Sequence, residues 1–458
     1  MPDDLGFSVV DVPADFSDES LALRFTGVHG DTLRYVSGWG RWYEWNGVAW
    51  KPDDTLKVFD LSRRICRQAS AECDNLKVSA MVASAKTVAA VERLAKADRR
   101  HAATVDQWDA DPWLLNTPGG VVDLRTGKMR THRANDYMTK TTAVAPGEEC
   151  PMWHCFLDRV TKQDSELKAF IQRMAGYCLT GSIREHALFF AYGTGANGKG
   201  VTINTLTGIL GDYATIASID TFTASQNDKH PTDLAMLRGA RLVAAQETEG
   251  GRRWAEARIK AMTGGDPITA RFMRQDFFTF EPTFKLLIAG NHRPGLRNVD
   301  EAIRRRLNLV PFDVKIPPSE RDHDLPEKLR AEWPGILAWA IAGCTAWQDG
   351  GLRPAEAVTK ATGDYLQAED AMGTWLAECC NMDADKEAGS TALFTAWKTW
   401  AEAAGEYVGS QKRFSQSMQD REFESIRLTG GGGAAGFKGI GLKAATFAEG
   451  SGKRECQV

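Results

Sequence analysis

Hydrophobic positions along this chain fall into two periods that exchange repeatedly. Between Ala187 and about Phe312, short apolar runs (Leu188–Tyr192, Leu242–Ala245, Phe284–Gly290, Leu307–Phe312) alternate with stretches of helical spacing. That alternation predicts a parallel α/β unit. Ahead of it, Trp153, Phe156, Leu157 and Val160, then Phe170, Ile171, Met174 and Leu179, recur at helical intervals and predict a helical collar over 151–186. Upstream, "YVSGWGRWYEWNGVAW" (Tyr35 to Trp50) alternates aromatics with Gly and Asn-Gly turn signals, as a hairpin or meander does. Core packing accounts for Trp39, Trp42, Trp45 and Trp50 better than base stacking. Residues 56–100 are helical in period, and Leu114–His132 returns to short glycine-punctuated strands. Beyond the α/β unit come a helical stretch (Leu325–Trp347), helices from Asp364, and two strands flanking Gly430–Gly433.

The expected organisation is an acidic tail (1–20), an α/β N-terminal domain (21–150), the collar (151–186), the α/β unit (187–350), a C-terminal winged-helix-like domain (364–445) and a disordered tail (446–458).

Composition narrows the class. The 458 residues are 43% hydrophobic and 25% charged with a net charge of −4. This is a soluble globular mix, and the balance excludes a uniformly basic nucleic-acid sponge but not a local basic groove. No apolar run reaches the roughly eighteen residues of a span, so no membrane partner is expected. The start "MPDDLGFSVVDVPADF" lacks the basic and apolar regions of a signal peptide. The cysteines form no C-x-x-C pair, which points to reduced thiols in a cytosol. Cys150, His154 and Cys155, near His132, have poor spacing for zinc and read as ordinary side chains.

The chemistry begins at "ALFFAYGTGANGKGVTINTLTGIL" (Ala187 to Leu210): strand, glycine-rich turn, helix. Gly193, Thr194, Gly195, Ala196, Asn197 and Gly198 can wrap backbone N–H groups around a phosphate, with Lys199 reaching the β- and γ-phosphates of ATP. Gly200 and Val201 then open the helix. Gly200 stands where a Ser or Thr hydroxyl normally holds Mg²⁺. Thr202, two positions later, is rotated about 200° around the helix and substitutes poorly. The expectation is that Mg²⁺ keeps a water there and leans on acids from another strand. Glu247 and Glu249, at the end of "ARLVAAQETEGG", are the candidate acids for metal and water activation, Glu247 through a metal-bound water. Asn291 ends "FKLLIAGN" and can orient the attacking water or sense the γ-phosphate. Arg304, Arg305 and Arg306 precede a further strand, and an arginine finger is expected from Arg306 or Arg305.

In this order, "GTGANGKG", "LVAAQETE", "RIKAMTGGDPITARFMRQDFFTFEP", "LLIAGNHRP" and "IRRRLNLVPF" resemble a superfamily 3 helicase of the phage/plasmid primase family, related to the poxvirus-type primase–helicase. The similarity is good over roughly 110–345 and looser elsewhere. The resemblance implies an AAA+-like ATPase acting as a homohexameric ring on single-stranded and forked DNA. By it, Lys199 is the phosphate-binding lysine, Glu247 and Glu249 the acids and Asn291 the sensor. Lys260, Gly264, Gly265 and Asp266 match an additional motif, and Arg271 to Phe280 corresponds to the channel hairpin, with Arg271, Arg274 and Gln275 (and Lys260) as DNA contacts. Gly200 departs from the pattern. No primase domain is evident, so a separate primase or polymerase is an expected partner. In the C-terminal domain "SQKRFSQSMQDRE" is the candidate recognition helix, with Lys412 and Arg413 for phosphates. An origin-binding initiator that does not unwind processively is the alternative reading.

Overall fold

In the computed structural model, residues 13–224, 232–247, 251–274, 276–296, 299–428 and 434–443 are described. The N-terminal unit sets helices α1 (Asp18–His29), α2 (Lys57–Ala71), α3 (Leu76–Val82) and α4 (Ala85–Ala95) against a four-stranded sheet. Its strands β1 (Leu33–Val36), β2 (Arg41–Trp45), β3 (Trp50–Pro52) and β4 (Ala102–Ala103) lie in the order β3-β2-β1-β4. A three-stranded meander follows, β5 (Leu114–Thr117), β6 (Gly120–Asp123) and β7 (Lys128–Arg130).

Two collar helices come next, α5 (Pro151–Val160) and α6 (Ser165–Leu179). The central unit then alternates β8 (Leu188–Tyr192), α7 (Lys199–Leu210), β9 (Ala214–Ile216), α8 (Thr232–Ala235), β10 (Leu242–Glu247) and α9 (Glu256–Gly264). A small hairpin of β11 (Ile268–Ala270) and β12 (Phe278–Phe280) interrupts it before β13 (Lys285–Gly290), α10 (Glu301–Arg304) and β14 (Leu307–Pro311). The five long-crossover strands form one sheet, β14-β8-β13-β10-β9, with every neighbouring pair parallel. The fold is therefore mixed α/β around a parallel sheet.

Burial explains why these strands read as plain apolar runs. Phe189 and Phe190 are both fully buried, one in each of the two cores that cover the sheet. The first core also takes in α5, α6 and α7 and two later helices, α11 (Leu325–Ala331) and α12 (Trp333–Gly350). Helix α12 packs along α6 at very close range: a Cβ on Gly176 would sit 2.0 Å from the Cys344 nitrogen, and one on Gly343 would sit 2.1 Å from the Gln172 carbonyl. The sequence pattern put α12 with the central unit. Its packing partner is the collar, because these two glycines let the helix axes approach.

Helix α13 (Glu356–Ala368) leads to a C-terminal module of α14 (Ala371–Cys379), β15 (Cys380–Gly389), α15 (Ser390–Ala404), α16 (Gln411–Gln419), β16 (Ser425–Arg427) and β17 (Ala435–Leu442). Its strands run antiparallel in the order β15-β17-β16 around a tryptophan-rich core. Ser410 caps α16 as its position suggested. Strand β15 is an addition to the expected pair; its residues from Asp383 to Glu387 are exposed, so no apolar alternation marked it. The glycine tip at 430–433, residues 1–12 and the C-terminal tail lie outside the described residues; the expected acidic tail ends earlier than residue 20, because Ser17 caps α1 and Asp18 to Ser20 form its first turn.

Candidate functional site

The loop from Gly193 to Gly198 leaves the carboxyl edge of β8 and is held from two sides. Gly193, Gly195, Ala196 and Gly198 all have positive φ. At two of these glycines no side chain fits. A Cβ on Gly193 would meet the Phe312 carbonyl at 2.2 Å, and one on Gly198 would meet Val160 of α5 at 2.5 Å. Asn197 is buried and donates to the Phe312 carbonyl (2.8 Å), while Ile316 N–H donates to the Ala196 carbonyl (2.9 Å). The loop is thus braced by α5 beneath it and by the chain leaving β14. Thr194 is exposed within it.

Lys199 begins α7 and is only 6% exposed. Its ammonium donates to the Gly193 carbonyl (2.6 Å), to Asn197 Oδ1 (3.2 Å) and to Asn291 Oδ1 (3.2 Å). All three acceptors are neutral, and no described carboxylate bonds to it. Burial holds its proton affinity below the ordinary lysine value. A buried, uncompensated ammonium among positive-φ backbone is a site for an anion.

Register places the other candidates at the same edge. Glu247 pairs with Gly290, and Gly290 pairs with Tyr192, the residue before the loop. The backbones of Glu247, Asn291 and Gly193 therefore end three adjacent parallel strands at one level. Glu249, like Gln275, lies outside the described residues. Gly200 has ordinary helical backbone and open space where a side chain would go. Val201 is half-buried. Thr202 is buried and its hydroxyl donates to the Gly198 carbonyl (3.1 Å), so it is spent inside the helix.

Two residues expected to act on a neighbouring subunit or on DNA have partners within their own chain. Arg306 is buried; its guanidinium donates to Thr263 Oγ1 (3.0 Å) and to the Ala302 carbonyl (2.8 Å). Two of its three nitrogens are thus engaged within its own chain. Arg304 pairs with Asp370 at 3.4 Å. Arg305 is exposed and has no hydrogen bond or ion pair among the described residues. Lys260, expected on DNA, is ion-paired with Asp300, the residue that caps α10. Arg271 and Arg274 sit on the β11–β12 connection, Arg274 exposed and Arg271 over the Phe277 ring at 4.8 Å. Lys412 is exposed, whereas Arg413 lies over Tyr407 (5.5 Å) and lines a cleft facing Asp370 and Leu296.

Sequence reasoning passed over Arg293. It follows Asn291 by two residues and lies over Tyr192 at 4.7 Å, which puts a cation beside the glycine loop. Its signal was one more basic residue after a strand end, indistinguishable from a solvated charge.

Comparison with known proteins adds to this geometry. The D5 N terminal like family matches residues 22–162, and a family of unknown function, DUF5906, matches residues 191–306. "Putative helicase L207/L206" of Acanthamoeba polyphaga mimivirus is 27% identical over 212 residues, 44% of this chain and 22% of that protein. "Putative helicase 022R" of Frog virus 3 (isolate Goorha) is 28% identical over 262 residues, 52% of this chain and 27% of that protein. These matches support a likeness to phage and viral superfamily 3 primase–helicases. The chain matches about a quarter of the length of these relatives. The apo A form of the NrS-1 C terminal region has a similar fold, with a TM-score of 0.50 at 9% identity over 94% of this chain and 100% of that one. Among the described residues no helix is long and apolar enough to cross a membrane.

Proposed function

We propose that the chain is an ATP-dependent DNA motor that assembles as a ring, with six subunits as the expected number, and unwinds duplex at forks. The observation that carries this reading is Lys199: a buried ammonium satisfied by neutral oxygens, at the carboxyl edge of a parallel sheet ordered as in AAA+ ATPases. In that order one strand, β13, separates the loop strand β8 from the acid-bearing β10. The triphosphate of ATP would take the loop N–H groups and Lys199, while Asn291 would exchange its bond to Lys199 for the γ-phosphate or the attacking water. Glu247 and Glu249 would supply the acid that polarises that water and the carboxylates for Mg²⁺. The open space at Gly200 leaves room for a water among the ligands. Mg²⁺, when bound, would neutralise the charge that builds on the β- and γ-phosphates.

Hydrolysis dependent on assembly requires a cation from a neighbouring subunit, and Arg305 is the arginine of the triplet that is exposed and unpaired. The β11–β12 hairpin, with Arg271 and Arg274, would grip single-stranded DNA. The C-terminal module has the helix–strand–helix–helix–strand–strand order of a winged helix, and Lys412 on α16 is placed for a phosphate. A separate primase or polymerase would supply priming.

The test is hydrolysis of ATP by purified chain with and without single-stranded DNA, beside strand displacement on a fork and particle mass with ATP. The reading expects DNA-stimulated hydrolysis, displacement and a ring. Hydrolysis indifferent to DNA would overturn it. Stimulated hydrolysis with no displacement would return the origin-binding initiator.

A further inference from the structure

Aromatic rings and guanidiniums run from the hairpin to the N-terminal sheet without a gap. At the hairpin, Phe272 stacks on Phe278 with centroids 5.5 Å apart. Arg238, in the turn after α8, has its guanidinium carbon 5.1 Å from the Phe278 ring and 5.5 Å from the Trp39 ring. Trp39 in turn lies 5.4 Å from Tyr43 of β2. Trp39 and Arg238, where the two stretches meet, are 199 residues apart in sequence.

A structural staple between two units is the plain explanation, but the hydrogen bonding argues for more. Elsewhere in this chain cations that tie units together are hydrogen-bonded, to a carboxylate as Arg421 and Arg304 are at Asp370, or to backbone carbonyls as Arg241 is. The Arg238 guanidinium has no hydrogen bond or ion pair among the described residues. Its five N–H donors face only ring faces and solvent, although the group is half-buried. Burial lowers its proton affinity, the mark of a charge short of compensation. Arg41, one residue past the turn after Trp39, is exposed and equally unpaired, and its field and that of Arg238 both act on Tyr43. Asp54 and Asp109 also act there; Asp109 is already committed to the Thr139 N–H and hydroxyl. Two unpaired guanidiniums beside half-buried rings match a ligand in which phosphates and flat bases alternate.

We propose that single-stranded DNA passing the β11–β12 hairpin continues across the Arg238 sandwich onto the Trp39–Tyr43 face of the N-terminal sheet, with Arg238 and Arg41 meeting phosphates and Trp39 stacking a base. This extends the motor reading and rests on it: the track would lie outside the nucleotide-binding unit.

Binding of oligothymidylates of about 8 and about 20 nucleotides tests it, the shorter sized for the hairpin and the longer for hairpin and track. The parental chain should gain affinity with length. Arg238→Gln and Arg41→Gln should keep parental affinity for the short strand and lose most of that gain. Each should also make the salt dependence for the long strand shallower by about 0.7 in log–log slope. Trp39→Ala should weaken the long strand about ten-fold. Arg238→Lys, which keeps the charge, should restore the slope, a result that a stapling role would not produce. Thermal melting checks each variant, and the exposed Arg41 carries the test if Arg238→Gln does not fold. Folded variants with parental length gain and slope overturn the track while leaving the motor intact. A parental chain that binds neither strand overturns the motor reading and the track with it.

Discussion

The ammonium of Lys199 and the amide oxygen of Asn291 are 3.2 Å apart, although the residues stand on different strand-to-helix connections. Strand β13 lies directly beside β8, and the register that sets Gly290 opposite Tyr192 brings the two side chains together. In the proposed cycle this bond is the one the nucleotide would replace. Lys199→Ala should therefore abolish ATP hydrolysis while the protein keeps its melting behaviour. Asn291→Ala should still bind ATP, because Lys199 retains the Gly193 and Asn197 oxygens, yet hydrolyse it roughly a hundred-fold more slowly. Nucleotide binding by fluorescence beside single-turnover hydrolysis separates the two. Equal loss of binding in both variants would show that Asn291 only builds the pocket.

Gly200 and Gly198 look alike in the sequence and should behave oppositely. Gly200 has helical backbone and nothing within 4 Å of a built Cβ. Gly200→Ser should fold normally, and a hydroxyl there should lower the Mg²⁺ concentration needed for half-maximal hydrolysis. Gly198 has φ of +88°, and its Cβ would strike Val160 at 2.5 Å. Gly198→Ala should cost about 1–3 kcal/mol by denaturant unfolding and remove nucleotide binding. A dead but folded Gly200→Ser would mean that the loop needs the missing side chain itself.

Much of the site was legible because β8, β13 and β14 are buried along their length and β10 over Leu242–Ala245, so they appear as apolar runs; the edge strand β9, half-buried to exposed, does not. That is how Lys199, Glu247 and Asn291 could be aligned from pattern alone. Pairings between distant positions carry no such mark. Nothing near Lys260 announces that Asp300 will take its charge, and nothing after Arg306 announces Thr263, forty-three positions earlier. Buried cations were hidden for the same reason. Arg241 and Lys285, at the amino ends of β10 and β13, read as ordinary strand-flanking charges. In the fold Arg241 donates to the Leu179 and Leu114 carbonyls, and Lys285 to the Thr180, Ser182 and Thr283 carbonyls, so they fasten the sheet to the end of α6.

The arginine triplet divides by burial. Arg306→Ala should destabilise the chain by roughly 1–3 kcal/mol, since it strips a donor from the part-buried Ala302 carbonyl and from the buried Thr263. Arg305→Ala should shift stability by no more than about 0.5 kcal/mol. It should nevertheless bind ATP, form rings and hydrolyse about a thousand-fold more slowly. Mixing Arg305→Ala with Lys199→Ala subunits should return activity, because some interfaces then join an intact lysine to an intact arginine. Mixed rings that stay inactive at every ratio would remove Arg305 from the role.

Lys285 makes the stability of the chain depend on pH in a direction opposite to that of most lysines. It is fully enclosed, and desolvation pushes its pKa down to about 7, against about 10.4 in an unfolded chain. Between those values the unfolded chain holds a proton that the folded one has shed. Stability must then rise with pH across that window, while below about pH 7 the full penalty is present and constant. Buried thiols act the other way at higher pH. Cys178 is pushed up to about 12 and Cys344 to about 11, so unfolding is favoured once their unfolded counterparts ionise near 8.5. The clean interval is therefore pH 7 to about 8.5. Lys285→Met keeps the volume and removes the charge; it should be more stable than the parent at pH 7. The difference should shrink as pH rises, by up to about 1.4 kcal/mol per unit. Denaturant unfolding of both proteins at several pH values across the interval measures it. A difference that stays flat would show that the three carbonyls keep Lys285 charged inside the fold, and that the ammonium, not a neutral amine, holds the sheet to α6.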